Sequence, residues 1–125
     1  AKTGRPRRVG PIDLVATRYG CRIQGATEVA LTKLDVLSYM KEIPVCTQYE
    51  VNGEKTDDFP FTAVIDEAKP VLTTVPGWGC DISGVRKYED LPQAARDYVE
   101  YVEQAIGVHI SYVSVGAGRD EIIYR

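Results

Sequence analysis

The chain has 125 residues, 44% of which are hydrophobic, and a net charge of −3. This length is typical of one domain, and the apolar content excludes a disordered chain. There is no apolar run long enough to span a bilayer and no signal peptide, and the three widely spaced cysteines form neither a metal-ligand pattern nor a disulfide framework. We therefore expect a reduced, cytoplasmic protein without membrane attachment.

The first eight residues, AKTGRPRR, carry four basic side chains and no acidic one, whereas the remainder carries 11 basic and 18 acidic side chains. An acidic body argues against general nucleic-acid binding, which requires a basic face. The short cationic segment instead favours a small anion such as a phosphate or a carboxylate. Pro6 keeps Arg5 extended, so Arg5 and Arg7 face one side and Arg8 the other. The alternative is a solvated basic tail.

Residues 11–24 have the apolar spacing of a helix, which we expect to end at Gly25. Its expected apolar face comprises Ile12, Val15, Ala16, Tyr19 and Ile23. Residues 28–34, EVALTKL, then predict a strand covered on both faces, followed by a short helical turn.

Residues 43–51 alternate as a strand does, and the Asn52–Gly53 pair that follows is a strong signal for a hairpin turn. The returning arm is predicted over residues 54–61, and a further strand over residues 70–75. Residues 76–84 read as a loop. We expect its Trp78 to cover the core, the alternative being a ligand-stacking role.

Residues 91–106 predict a second helix, with Asp90 as its N-cap and Gly107 at its end. Its expected buried face comprises Ala95, Tyr98, Val99, Val102 and Ile106. Strands are predicted over residues 108–115 and 121–125, with a loop at residues 116–118. The mixture predicts a single α/β domain over residues 1–125, with three layers, a mostly parallel sheet and an added antiparallel β-hairpin.

The segment TKLD, residues 32–35, ends the first predicted strand on a lysine and a carboxylate. Guanine presents two adjacent donors, its ring N–H and its exocyclic amino group, and one carboxylate accepts both. Adenine lacks that pair of donors, and the apolar stem of Lys33 can lie along the base. The pattern Lys33-x-Asp35 therefore suits guanine and is close to the N-K-x-D motif of GTPases. The alternative is an exposed ion pair at the end of a strand.

The segment SVGAG, residues 114–118, follows another predicted strand. In open α/β sheets, ligands bind beyond the carboxyl ends of the strands. If the two strands are parallel neighbours, Asp35 and Ser114 reach one crevice, where the glycines allow close approach of backbone N–H groups. The alternative is an ordinary Gly-rich turn. Two weaker candidates are His109, which we expect to be structural, and GRDE at residues 118–121, which we expect to be a capped loop rather than a metal site.

Taken in order, TGRPRR, LTKLDVL, LPQAA and SVGAGRDE closely resemble the C-terminal part of the adenylosuccinate synthetase family, along essentially the whole chain. The resemblance implies a larger P-loop-like synthetase fold of which this chain is a fragment. It implies a GTP-dependent ligase that joins IMP and L-aspartate into adenylosuccinate, with GDP and phosphate as the other products, in AMP biosynthesis. It also implies a magnesium-dependent, cytoplasmic homodimer.

The resemblance further assigns roles to residues. An aspartate-binding loop matches Ala1, Lys2, Thr3, Gly4, Arg5, Pro6 and Arg7, within a substrate loop spanning residues 1–8. Arg5 matches an arginine that touches IMP. The GTP-contacting positions match Arg7, Lys33, Leu34, Asp35, Ser114, Val115 and Gly116. The catalytic Asp and His and most of the magnesium site are expected upstream, so no catalytic or metal residue is assigned here and we expect the fragment alone to be inactive.

The chain departs from the family pattern at Lys2, Pro11 and Ala117. Two other functions remain open from the residues alone. One is a stand-alone guanine-nucleotide binding module, and the other is a nucleic-acid adaptor with a basic arm.

Overall fold

The computed structural model describes residues 3–125. It contains two α-helices, α1 (Leu14–Gln24) and α2 (Gln93–Ile106). The seven strands are β1 (Ile12–Asp13), β2 (Glu28–Leu31), β3 (Glu42–Val51), β4 (Glu54–Thr56), β5 (Lys69–Pro76), β6 (His109–Ser114) and β7 (Ile122–Tyr124). The predicted α/β class is thus confirmed.

The strands form two mixed sheets, which corrects the prediction of one mostly parallel sheet. In the first sheet, β3 pairs in parallel with β1 and antiparallel with β4 and β5. In the second sheet, β6 pairs in parallel with β2 and antiparallel with β7. The reason is connectivity, because parallel pairing needs a long crossover whereas short connections give hairpins. β4 and β5 pair with opposite edges of β3, since Tyr49 and Glu50 pair with both.

The hairpin turn at Asn52–Gly53 forms as predicted, and both residues have positive φ, 53° and 81°. The returning arm is much shorter than expected, because β4 ends at Thr56 and residues 57–64 leave the sheet. β5 pairs along most of the opposite edge of β3, from Glu42↔Pro76 to Glu50↔Lys69.

α1 begins at Leu14, not at residue 11, because Ile12 and Asp13 pair with β3. The Asp13 carboxylate caps the helix by accepting a 2.9 Å hydrogen bond from the amide of Ala16. Gly25 ends the helix in the left-handed conformation, as predicted. The predicted apolar face was wrong in part. Val15 is buried as predicted, but Tyr19 and Ile23 are exposed, and Leu14 and Cys21 are buried although they were not predicted to be. Tyr19 stacks on Phe59 at 4.8 Å.

α2 matches the sequence closely. All five residues of its predicted buried face are at most 4% exposed, and Gly107 ends it with φ 71°. Burial raises the pKa of Tyr98, one of the five, to about 12. The N-cap was wrong, because Asp90 closes a short 3-10 turn (Tyr88–Asp90) and Pro92 caps the helix without a side-chain bond.

One core joins both helices to both sheets. Its fully buried members include Val45 on β3, Val99 on α2, Ile110 and Val113 on β6, and Ile123 on β7. Trp78 covers this core as predicted. Its ring meets that of Tyr98 edge to face, with 5.9 Å between the centroids, and its indole N–H donates to the Ser38 hydroxyl with 3.2 Å between nitrogen and oxygen. Neither helix within residues 3–125 is long and apolar enough to cross a membrane.

Candidate functional site

The crevice predicted at the ends of two parallel strands is present. β2 and β6 are parallel neighbours with Leu31 opposite Val113, so both strands deliver their next residues to the same edge of the sheet. There the backbone amide of Lys33 donates a 2.9 Å hydrogen bond to the Ser114 hydroxyl. TKLD and SVGAG, which lie far apart in sequence, are therefore in direct contact.

The sequence predicted a strand through Leu34 and then a short helical turn. The helical turn is present, but the strand ends earlier than predicted. β2 ends at Leu31, Lys33 has φ 62°, and a 3-10 turn runs from Leu34 to Leu37. Leu34 is 1% exposed and anchors this turn in the core. Only a few per cent of residues other than glycine have positive φ, and these cluster at functional sites. The turn lets Lys33 and Asp35 leave the sheet together.

The side chains of this turn are accessible. Lys33 is exposed, Asp35 is half-buried, and the Asp35 carboxylate makes no hydrogen bond to any residue of the described chain, 3–125. An ionised carboxylate that the protein leaves unpaired has its full capacity to accept donors from a ligand.

The loop of residues 114–118 is held by Glu121. The amide of Val115, which is fully buried, donates to the Glu121 carbonyl at 2.9 Å, and the amide of Gly118 donates to the Glu121 carboxylate at 2.5 Å. The Gly118–Glu121 turn confirms that GRDE is a capped loop. The sequence signal for this capped loop is Glu121, three residues after Gly118. The position of the Glu121 carboxyl group beside Gly116 was not predicted.

The arginine segment is exposed from Thr3 to Arg8, and Gly4 has φ 69°. Within residues 3–125, Arg5 and Arg7 form no ion pair, so their guanidinium groups are available to an anion. The next residues, Val9 and Gly10, line a groove of about 410 Å³ that Lys33 also lines. The end of the arginine segment and the Lys33 turn therefore border the same groove. Ala1 and Lys2, assigned to the aspartate loop, lie outside the described residues.

His109 is structural, as expected. Its Nδ1 lies 2.8 Å from the Glu103 carboxylate, which also accepts from Arg125 at 2.6 Å and from the Ile110 amide at 2.7 Å. Partial burial raises the pKa of Glu103, but the Arg125 and Ile110 hydrogen bonds outweigh it, so the pKa lies below its ordinary value. No group of three or more His, Cys, Asp or Glu side chains in the described part of the chain is arranged to hold a metal ion.

The sequence matches the family model described as adenylosuccinate synthetase over residues 1–123. The chain belongs to the adenylosuccinate synthetase family. The family resemblance predicted from TGRPRR, TKLD and SVGAG is therefore confirmed.

Known adenylosuccinate synthetases align with the chain almost from end to end. It is 48% identical over 124 residues to the adenylosuccinate synthetase of Mycobacterium sp. strain KMS, and 49% identical to that of Mycobacterium tuberculosis. Each alignment covers 98% of this chain but only 29% of the relative. The chain thus spans less than a third of the length of the curated relatives it matches.

A solved structure agrees with the fold. The fully ligated adenylosuccinate synthetase of Plasmodium falciparum superposes with a TM-score of 0.91 at 32% identity, over 98% of this chain and 30% of that one. The fold of this chain is therefore also present in a solved adenylosuccinate synthetase.

Proposed function

We propose that this chain is the C-terminal part of an adenylosuccinate synthetase, a GTP-dependent ligase that forms a C–N bond between IMP and L-aspartate. The observation that carries the proposal is the hydrogen bond between the Lys33 amide and the Ser114 hydroxyl, in a chain of this family. It joins the two segments that a guanine site requires. The combined crevice, rather than either motif alone, supports a nucleotide-binding role.

Asp35 recognises the guanine base of GTP. Its carboxylate accepts the ring N–H and the exocyclic amino group, two charge-assisted hydrogen bonds that adenine cannot provide. The apolar stem of Lys33 lies along the base while its ammonium stays in water. Leu34 fixes this turn from below. Ser114 and Gly116 line the other side, and Val115, which was also assigned to GTP, is fully buried and anchors their loop. ATP is rejected because it would leave the carboxylate facing an acceptor.

The arginine segment binds the anionic parts of the substrates. Thr3, Gly4 and Arg5, with Ala1, Lys2 and Pro6, form the loop for L-aspartate, whose carboxylate suits the planar fork of a guanidinium. Arg5 also reaches IMP, and Arg7 reaches GTP. The groove supports this assignment, because Val9 at the end of the segment and Lys33 of the guanine site both line it.

The reaction proceeds in two balanced steps. The γ-phosphoryl group of GTP passes to the 6-oxygen of IMP, which loses its N1 proton, and GDP is released. The amino group of L-aspartate then attacks C6, displaces phosphate and loses a proton. The catalytic Asp and His and the ligands of Mg²⁺ lie in the part of the synthetase outside this chain. This chain supplies binding and orientation rather than proton transfer. The full-length enzyme is a cytoplasmic homodimer.

The test is product formation by the full-length synthetase that carries this chain. With IMP, L-aspartate, GTP and Mg²⁺ we expect adenylosuccinate, GDP and phosphate in equal amounts, and none when any substrate is omitted or ATP replaces GTP. We expect the 125-residue chain alone to be inactive. Steady turnover by that chain, or GTP binding without turnover by the full-length protein, would contradict the proposal. The second result would favour a guanine-nucleotide binding module.

A further inference from the structure

We propose that Glu121 is a positioning residue for the nucleotide, although it follows the SVGAG segment and carries no assigned role. This inference rests on the proposed GTP site and adds a residue to it. Glu121 lies at the end of the connection between β6 and β7, one residue before Ile122, which pairs with Ser114 across the hairpin. It therefore closes the loop that follows Ser114.

Glu121 holds the loop with both its backbone and its side chain. Its carbonyl accepts from the Val115 amide at 2.9 Å, and its amide donates to the Gly118 carbonyl at 3.1 Å. Its carboxylate accepts from the Gly118 amide at 2.5 Å. A single residue thus fixes both ends of the Gly116–Ala117 tip, which would otherwise have the freedom of a Gly-rich turn.

The carboxylate also determines which residue fits at position 116. A Cβ on Gly116 would overlap the Glu121 carboxyl group. Gly116 does not have positive φ, so its backbone conformation suits any residue. A larger residue at position 116 would therefore displace the Glu121 carboxylate from its place beside the loop.

This arrangement selects the donors offered to a ligand. The Gly118 amide is occupied by Glu121, whereas the amides of Gly116 and Ala117 make no hydrogen bond to any residue in the 3–125 range. These two amides lie in the loop that starts at Ser114, the residue bonded to Lys33. They suit a carbonyl oxygen such as the 6-oxygen of guanine, and Glu121 keeps them in place without touching the base.

The test uses the full-length synthetase that carries this chain, with Glu121→Ala, Glu121→Asp and Glu121→Gln. Removing the acceptor, or shortening it so that it no longer reaches Gly118, should raise the KM for GTP about tenfold. The KM values for IMP and L-aspartate should stay within about twofold, since those substrates do not touch this loop. Glu121→Gln keeps a side-chain acceptor of the same length and should stay within about threefold of the wild type. Asp120→Ala is the matched control, because the neighbouring carboxylate is largely exposed and faces Arg86 at 3.9 Å.

A double-mutant cycle separates positioning from general stability. Gly116→Ala should raise the KM for GTP when it is made in the wild type. It should raise the KM little further when it is made in Glu121→Ala, because that variant lacks the carboxylate with which the new methyl group collides. Additive effects, a parallel rise in all three KM values, or an unchanged KM for GTP in Glu121→Asp would overturn the inference.

If Glu121→Ala fails to fold, Glu121→Asp and Glu121→Gln decide by the same criteria. Failure of the wild-type enzyme to use GTP would overturn the proposed function, and this inference with it. Normal GTP use with unaffected variants would overturn only the role of Glu121.

Discussion

The backbone amide of Lys33 and the side chain of Ser114 form a 2.9 Å hydrogen bond across the ends of two parallel strands. The bond does more than join two segments, because Lys33 has the unfavourable φ of 62° and the hydroxyl satisfies its amide in that conformation. The direction in which Lys33 and Asp35 leave the sheet therefore depends on a residue 81 positions away.

Ser114→Ala should weaken GTP binding by about threefold to tenfold, because one hydrogen bond of roughly 0.5–1.5 kcal/mol is lost and the Lys33 turn is held less firmly. Isothermal titration of the full-length enzyme with GTP measures the effect.

Ser111→Ala is the matched control for that experiment. Ser111 also lies on β6, and its hydroxyl donates to the Glu28 carboxylate on β2 at 2.6 Å, nearer the start of the strand pair. It should reduce stability comparably without changing GTP affinity. Equal loss of GTP affinity in both variants would mean that Ser114 acts only through the stability of the sheet.

Lys33→Gly should separate stability from binding. Glycine adopts φ 62° without a steric penalty, which offsets the entropy it loses on folding, so the free energy of unfolding should change by less than about 1 kcal/mol. The affinity for GTP should fall because the apolar stem beside the base is gone. Urea unfolding and GTP titration measure the two quantities.

Lys55→Gly in β4 is the control for the glycine substitution. Lys55 lies in a regular strand, so this change should destabilise by about 0.5–1 kcal/mol and leave GTP affinity unchanged. Undiminished GTP affinity in Lys33→Gly would argue against contact between Lys33 and the base.

The sequence predicted the position of this crevice more accurately than it predicted how the strands pair. The sequence placed Asp35 and Ser114 at one edge on the condition that their strands are parallel neighbours, and β2 and β6 meet that condition. The turn at Lys33 was missed, since the apolar pattern EVALTKL continues through Leu34. That leucine is buried, but as the anchor of a 3-10 turn rather than as a strand residue. Periodicity reports burial more reliably than backbone conformation.

Other differences have tertiary causes. The helix predicted over residues 11–24 starts later than expected because Ile12 and Asp13 pair with β3, a contact that no local pattern reveals. The returning arm after Asn52–Gly53 stopped at Thr56, and β1 pairs with Val45 and Cys46 on that same edge of β3. The role of Glu121 was missed because its importance lies in the space beside Gly116, which only coordinates show.

Arg5→Lys should raise the KM for L-aspartate and Arg7→Lys the KM for GTP, each by roughly tenfold to a hundredfold. Lysine keeps the charge but replaces a planar two-pronged donor with a point charge. Steady-state kinetics with each substrate varied in turn measures the changes. Arg8→Lys is the control, because an extended chain directs Arg8 to the opposite side. Similar losses in all three variants would indicate a general electrostatic effect.

The Glu103 carboxylate, which accepts hydrogen bonds from Arg125 and from the Ile110 amide, should make the free energy of unfolding depend on pH. Its carboxyl pKa is lowered in the folded state, so its contribution is present above the unfolded pKa of about 4.3 and is lost as the pH falls through the folded value. Glu103→Gln should be less stable than the wild type at neutral pH and should lose less stability on acidification. Urea unfolding between about pH 3 and pH 7 measures this.

The control for Glu103→Gln is Glu54→Gln, at an exposed position in β4. It should follow the wild-type pH profile throughout. A Glu103→Gln profile that runs parallel to the wild type would exclude this carboxylate as a source of the pH dependence.

The central claim is that Asp35 reads guanine, and the most direct test compares GTP with xanthosine triphosphate in Asp35→Asn. The second ring position of xanthine carries an oxygen that accepts from the Asn amide, whereas guanine carries a donor there. Asp90→Asn, at an exposed position remote in sequence, is the control. We predict that Asp35→Asn weakens GTP binding about a hundredfold, because a two-point charged contact is lost. The kcat/KM for xanthosine triphosphate should rise relative to that for GTP. An unchanged ratio of kcat/KM for the two nucleotides in Asp35→Asn would contradict the assignment.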